Sequence, residues 1–204
     1  MQAIKFISLL FIISLLCQCS TPPKPIPSSI QKNGNTNHFQ IRQQHFLKQT
    51  TWHAKGRIAA NNSHDGGSAN FDWQNINLKY SIKLSGPLGL GSAKLNGQPD
   101  QVTFIDQYGK RHTATNPETL MKKLLGWQVP IQGLNYWIKG ILIPNINYSN
   151  LTLDELGRLN TVEQSGWTIQ YVNYYEATLL SLPKKITLTN NDLKVKLVIK
   201  QWQV

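Results

Sequence analysis

The sequence predicts a mainly β fold with a helical part: one long antiparallel sheet that curls, with helices across its concave mouth. Two observations carry this. The segments from Trp52 to Asp106 and from Leu156 to Trp202 alternate apolar with polar residues, separated by turn clusters, which is the period-2 pattern of half-buried strands. Between these blocks, two short stretches space their apolar residues three and four apart, as helices do. A sheet with so many strands must curl or close, and its apolar face needs cover. The helices are the available cover, and periodicity leaves open whether the enclosed space is filled or empty.

Before the sheet comes a leader. Lys5 precedes an apolar run, Phe6 to Leu16, that stops at Cys17-Gln18-Cys19-Ser20. The run is shorter than the roughly 20 apolar residues of a membrane-spanning helix and reads as a signal peptide, residues 1–18. The residues before Cys19 resemble the lipobox of bacterial lipoproteins, in which cleavage precedes a cysteine that takes lipid; Gln18 departs from the small residue usual there. The two cysteines of the chain both lie at this boundary. A mature chain starting at Cys19 holds one thiol and no internal disulfide, and acylation gives that lone cysteine a purpose. Ser20 and Thr21 are not the acidic residues that retain many enteric lipoproteins at the inner membrane, which favours the outer membrane. Residues 19–37, proline-rich and then asparagine-rich, read as the lipidated N-terminus and a flexible linker, and residues 38–204 as one domain.

The elements follow in order. Phe39 to Thr50 is expected as an amphipathic helix with Phe39, Arg42 and Phe46 near one stripe. Strands are expected at Trp52–Ala60, Gly67–Trp73, Leu78–Leu84, Gly91–Leu95, Gln101–Asp106 and Arg111–Ala114, as a meander of consecutive antiparallel neighbours. Asn116-Pro117-Glu118 is a helix start, with Asn116 as N-cap and Pro117 in the first turn, and Leu120, Leu124 and Leu125 give the helix an apolar face. A second helix, Ile131 to Lys139, presents Leu134, Trp137 and Ile138, and Gly140 closes it. Pro144 to Leu153 is expected to be irregular, and strands return at Leu156–Gln164, Trp167–Tyr174, Lys185–Thr189 and Lys194–Trp202.

Charge and motifs narrow the function. The chain carries 21 Lys+Arg against 10 Asp+Glu, and only Lys5 leaves with the signal. Such a surface suits anionic lipid or an acidic partner, or is merely solvated; nucleic acid does not fit an exported lipoprotein. The histidines, His38, His45, His53, His64 and His112, lack metal-ligand spacing, and the His64-Asp65 pair falls in a turn. There is no Gly-x-Ser-x-Gly elbow and no phosphate-binding loop. No enzyme, cofactor or metal is implied. The stretch Gly86-Pro87-Leu88-Gly89-Leu90-Gly91-Ser92 has two readings: a bend whose leucines fold back into the core, or a hydrophobic finger. One leucine entering a bilayer contributes roughly 1.5–3 kcal/mol, enough for a transient touch.

A series of motifs then matches a family. Lys55-Gly56-Arg57, Ala69-Asn70-Phe71-Asp72-Trp73-Gln74, Leu84-Ser85-Gly86-Pro87-Leu88-Gly89, Gly126-Trp127-Gln128-Val129-Pro130, Tyr136-Trp137-Ile138-Lys139-Gly140, Gly166-Trp167 through Tyr171, Leu182-Pro183-Lys184-Lys185 and Lys196 through Trp202 together resemble the outer-membrane lipoprotein receptor LolB family. The resemblance covers residues 39 to 202 in order. It implies an incompletely closed antiparallel β-barrel with a helical lid over a hydrophobic cavity.

It also implies a function: acceptance of acylated lipoproteins from the periplasmic carrier LolA and their insertion into the inner leaflet of the outer membrane, by a monomer anchored through Cys19 and facing the periplasm. The family's exposed loop leucine maps onto Leu88, with Pro87 and Leu90 beside it, as a membrane-insertion loop. The inward residues expected to line cavity or core are Phe71, Trp73, Tyr80, Ile82, Leu84, Leu95, Phe104, Leu124, Trp127, Leu134, Trp137, Ile169, Tyr171, Ile186, Leu188, Val195 and Leu197. The alternatives are a structural or interaction lipoprotein with a filled barrel, and a carrier of another lipid.

Overall fold

Eleven strands form one antiparallel sheet in the order β6-β5-β4-β3-β2-β1-β11-β10-β9-β8-β7. The computed structural model describes residues 36–86, 91–125, 130–191 and 193–204. Cys19, the linker, the loop residues Pro87, Leu88 and Leu90, and Trp127 therefore lie outside the described residues.

The strands are β1 (Thr51–Asn61), β2 (Gly66–Ile76), β3 (Lys79–Ser85), β4 (Ser92–Gln98), β5 (Gln101–Ile105), β6 (Arg111–Ala114), β7 (Tyr148–Leu153), β8 (Leu159–Gln164), β9 (Trp167–Tyr174), β10 (Pro183–Asn190) and β11 (Leu193–Gln203). Helix α1 (Thr36–Lys48) precedes them, and α2 (Pro117–Leu125) and α3 (Ile131–Trp137) separate β6 from β7. The first half is the expected meander, the second half is a meander as well, and the halves are zipped by β1 against β11, with His53 opposite Gln203 and Asn61 opposite Lys194. β6 and β7 are not paired with each other, so the barrel stays open. Both edges are poor templates for another chain: β6 has 4 residues, and β7 slips register between Ser149 and Thr152.

Alternation buries one face. On β11, Val195, Leu197 and Ile199 are buried while Lys194, Lys196 and Lys200 are exposed. Phe71 and Trp73 on β2, Ile82 on β3, and Trp167, Ile169 and Tyr171 on β9 point to the same core. Two glycines let large rings lie flat on neighbouring strands. Tyr80 covers Gly97, directly opposite on β4, and a Cβ there would strike its ring. Phe71 covers Gly56, where the β1–β11 register shifts and a Cβ would also meet the Val198 carbonyl.

Asn116 caps α2 as expected, accepting the Thr119 N–H at 2.8 Å with Pro117 in the first turn. Helix α3 ends at Trp137, and Gly140 turns the chain away at φ +74°. Other boundaries need correcting. Helix α1 starts at Thr36 and stops at Lys48, and the Thr50 carbonyl beyond it serves the Asn77 N–H and the Asn75 amide. The stretch from Pro144 to Leu153 is not wholly irregular: Tyr148–Leu153 is the edge strand β7, with Leu151 and Leu153 buried. Its signal is masked because Asn150 sits at positive φ and breaks the alternation. Strand β8 begins at Leu159, since Asp154 Oδ1 accepts from Leu156 N–H and Arg158 N–H and folds the intervening residues into a turn.

Candidate functional site: the lidded interior

The concave face and the two central helices share one apolar cluster. Leu120 and Met121 of α2 and Ile131, Leu134 and Trp137 of α3 pack with Phe71, Trp73, Ile82, Leu95, Phe104, Ile169, Tyr171, Ile186, Leu188, Val195 and Leu197 of the sheet. Tyr80, Leu84 and Leu124 are half-buried against the same cluster. All of the described residues expected to line cavity or core thus meet in one place. His64 and Asp65 instead sit in the exposed β1–β2 turn, bonded to Ser63 and to the Gly66 N–H.

Polar side chains fasten the lid, and the chief of them, Gln164, was passed over by sequence reasoning. Gln164 is 2 % exposed on the inward side of β8. Its Oε1 accepts the Trp137 indole N–H at 2.9 Å and the Ile143 N–H at 3.0 Å, and its Nε2 donates to the carbonyls of Ile143 and Ile146. Tyr171 donates its hydroxyl proton to the Trp137 carbonyl at 2.9 Å. A glutamine at an inward strand position, two residues after the buried Val162, was the available signal. The other end of the lid is joined through Glu118, which accepts the Gln132 N–H at 3.0 Å and links α2 to α3.

Helix α1 is bolted to the chain that leaves α3. Arg42, read from sequence as part of a stripe with Phe46, is fully buried and donates to the carbonyls of Lys139, Gly140, Leu179 and Ser181. Its guanidinium also lies 4.7 Å from the Phe46 ring and 5.2 Å from the Tyr174 ring. Burial lowers its pKa. In return Lys139 donates to the carbonyls of Phe46 and Gln49 at the end of α1, and Gln43 exchanges two hydrogen bonds with Leu142. A charged residue inside an otherwise apolar stripe was the clue to Arg42.

Between the lid and the strand ends lies an open groove of about 610 Å³, lined among others by Tyr80, Val102, Glu118, Ile131, Asn135 and Trp137. Burial, and then the Glu118 carboxylate, push the Tyr80 phenol well above its ordinary pKa, so it stays a neutral donor. Deeper inside, the indole N–H groups of Trp52 and Trp73 are buried without a hydrogen-bond partner, their rings 5.2 Å apart. An unmet buried donor costs about 1–3 kcal/mol.

Comparison with known proteins agrees with this architecture. The profile of the family described as "Outer membrane lipoprotein LolB" matches residues 50–202. The chain belongs to this family. It is 37% identical over 175 residues to the outer-membrane lipoprotein LolB of Pseudomonas fluorescens, covering 86% of this chain and 85% of that one. It is 37% identical over 199 residues to the outer-membrane lipoprotein LolB of Francisella tularensis, covering 97% of this chain and 93% of that one. Among solved structures, a DUF1329 family protein from Desulfovibrio piger superposes with a TM-score of 0.52 at 6% identity, over 82% of this chain and 91% of that one. That likeness concerns the fold alone.

Proposed function

We propose that this protein is an outer-membrane lipoprotein receptor: it accepts acylated lipoproteins from the periplasmic carrier LolA into its lidded interior and inserts them into the inner leaflet of the outer membrane. The observation that carries the reading is the single apolar cluster shared by the concave sheet and the α2–α3 lid, in a chain of this family. Each acyl CH₂ brought into water costs roughly 0.8 kcal/mol, so three long chains cost tens of kcal/mol and cannot be released into solvent. Transfer runs from one apolar interior to another. The acyl chains enter between lid and sheet, Phe71, Trp73, Tyr80, Leu84, Leu124, Trp127, Leu134 and Trp137 receive them, and the unmet indole donors of Trp52 and Trp73 meet the carbonyls at their heads. Cys19 carries the lipid that anchors the protein, and Leu88, flanked by Pro87 and Leu90, enters the bilayer at delivery. The receptor acts as a monomer, on the periplasmic face.

The test mixes residues 20–204, which keep every described element, with a carrier preloaded with labelled triacylated lipoprotein. Label is expected to pass to this protein and then into liposomes. Leu88→Glu is expected to take up label normally and deliver little of it. A folded protein that takes up none would overturn the reading and favour a filled-barrel interaction lipoprotein; normal delivery by Leu88→Glu would remove the finger's role.

A further inference from the structure

The outward side chains of five neighbouring strands form a basic trough. Strand register sets Lys55 of β1 opposite Asp72 of β2, Asp72 opposite Lys83 of β3, and Lys83 opposite Lys94 of β4. Lys200 of β11 lies beside Lys55 where the β1–β11 register shifts. These five side chains, with Asn70, Ser85 and Ser92, line one open trough of about 580 Å³ that also touches Gly56, Phe71, Leu84 and Ala93. Four lysines share it with a single carboxylate, and that carboxylate is taken. Asp72 pairs with His53 at 2.8 Å and with Lys55 at 3.4 Å, both on β1. Among the described residues Lys83, Lys94 and Lys200 form no ion pair. Like charges directly opposite on neighbouring strands are destabilising, so facing Lys83 with Lys94 works against the fold unless an anion lies between them.

The trough also has a telling position. Ser85 and Ser92, which pair with each other at its rim, are the last residue of β3 and the first of β4, so the trough reaches the ends of these two strands.

We propose that this trough binds the phosphate groups of lipid headgroups in an anionic leaflet and seats this face on the membrane. The serine hydroxyls and the Asn70 amide supply neutral donors beside the ammonium groups, as a phosphodiester with several acceptor oxygens requires. The proposal rests on the receptor reading only for its setting, a protein that works at a bilayer.

The experiment compares residues 20–204 with the Lys83→Gln, Lys94→Gln, Lys200→Gln triple variant, and with a Lys48→Gln, Lys122→Gln, Lys123→Gln variant of equal net charge. The readout is co-sedimentation with phosphatidylethanolamine vesicles, with and without phosphatidylglycerol, at low and physiological salt. Wild type is expected to partition more strongly as anionic lipid rises and less as salt rises. The trough variant is expected to lose about tenfold or more of its partitioning, and the distant variant little. Because the trough variant removes facing like charges, its thermal midpoint is expected to be unchanged or higher. Equal loss in both variants, or no loss in the trough variant, overturns the proposal. So does a trough variant that keeps vesicle binding but no longer captures cargo from the carrier, which would assign the face to an acidic protein partner. Cargo uptake by wild type without vesicles is measured in parallel; its failure sinks the receptor reading and leaves the partitioning result standing.

Discussion

Lys139 shows how one side chain reports on the joint between lid and N-terminal helix. It is 4 % exposed, and its ammonium group donates to the Phe46 carbonyl at 3.0 Å and the Gln49 carbonyl at 3.2 Å. Burial without a carboxylate pulls its pKa down from 10.5 to about 8. The folded state therefore releases this proton at lower pH than the unfolded chain does. The associated stability is complete above the unfolded value and is lost as pH falls through about 8. Tyr171 and Tyr174, whose pKa values burial raises, act oppositely, and their contribution is lost as pH rises past 10. Denaturant unfolding between about pH 7.5 and 9.5 isolates the lysine. Stability of the wild type, relative to Lys139→Met, is expected to increase with pH across that window; a flat difference would contradict the burial of the charge. In the sequence Lys139 is only the residue before a helix-ending glycine, because its burial depends on α1, about 90 residues earlier.

At the scale of elements, Gln164 is the bolt between β8 and α3. It satisfies an indole N–H, a backbone N–H and two carbonyls with one side chain, leaving the α3 end of the lid fixed to the sheet. Gln164→Leu keeps the volume and strands all four groups. The expected cost is about 3 kcal/mol or more, or a midpoint lowered by roughly 6–12 °C for a domain of this size. Amide exchange at Ile138, Ile143 and their neighbours is expected to accelerate more than exchange in β2 or β3. Uniform acceleration throughout the sheet would mean that the glutamine supports the whole fold and not the lid in particular. The lid's helices were readable from spacing and from the Asn116 cap, and the fastening was readable only as an anomaly, a glutamine on an inward position. The edge strand β7 was not readable: Asn150 at positive φ and the register slip between Ser149 and Thr152 erase the alternation that marks a strand.

For the whole molecule the decisive contact is β1 with β11. Each half of the sheet is local, strand following strand, but the backbone ladder that joins the halves into one sheet is β1 with β11, from opposite ends of the domain. Such a closure carries a loop-entropy cost before it yields any contact, so it is expected to form after the local hairpins of each half. Removing residues 193–204 takes away Val195, Leu197 and Ile199 from the core and leaves β1 and β10 as open edges. The truncated chain is expected to lose its near-ultraviolet circular dichroism and its cooperative thermal transition. A truncated chain that still unfolds in one sharp step would show that the two meanders are independently stable.

The sequence by itself determined the strands other than β7, their inward faces, the N-cap of α2, and the family, because these depend on period, turn chemistry and motif order within short windows. It also determined that the two central helices had to cover an apolar face. The tertiary structure alone decided the zipper between β1 and β11, the burial of Arg42 and Lys139, the fastening of Trp137 by Gln164 and Tyr171, and the gathering of four lysines around one occupied carboxylate. Each of these joins residues far apart in the chain, and whether a charge there is buried, paired or free is set by neighbours that no local pattern names.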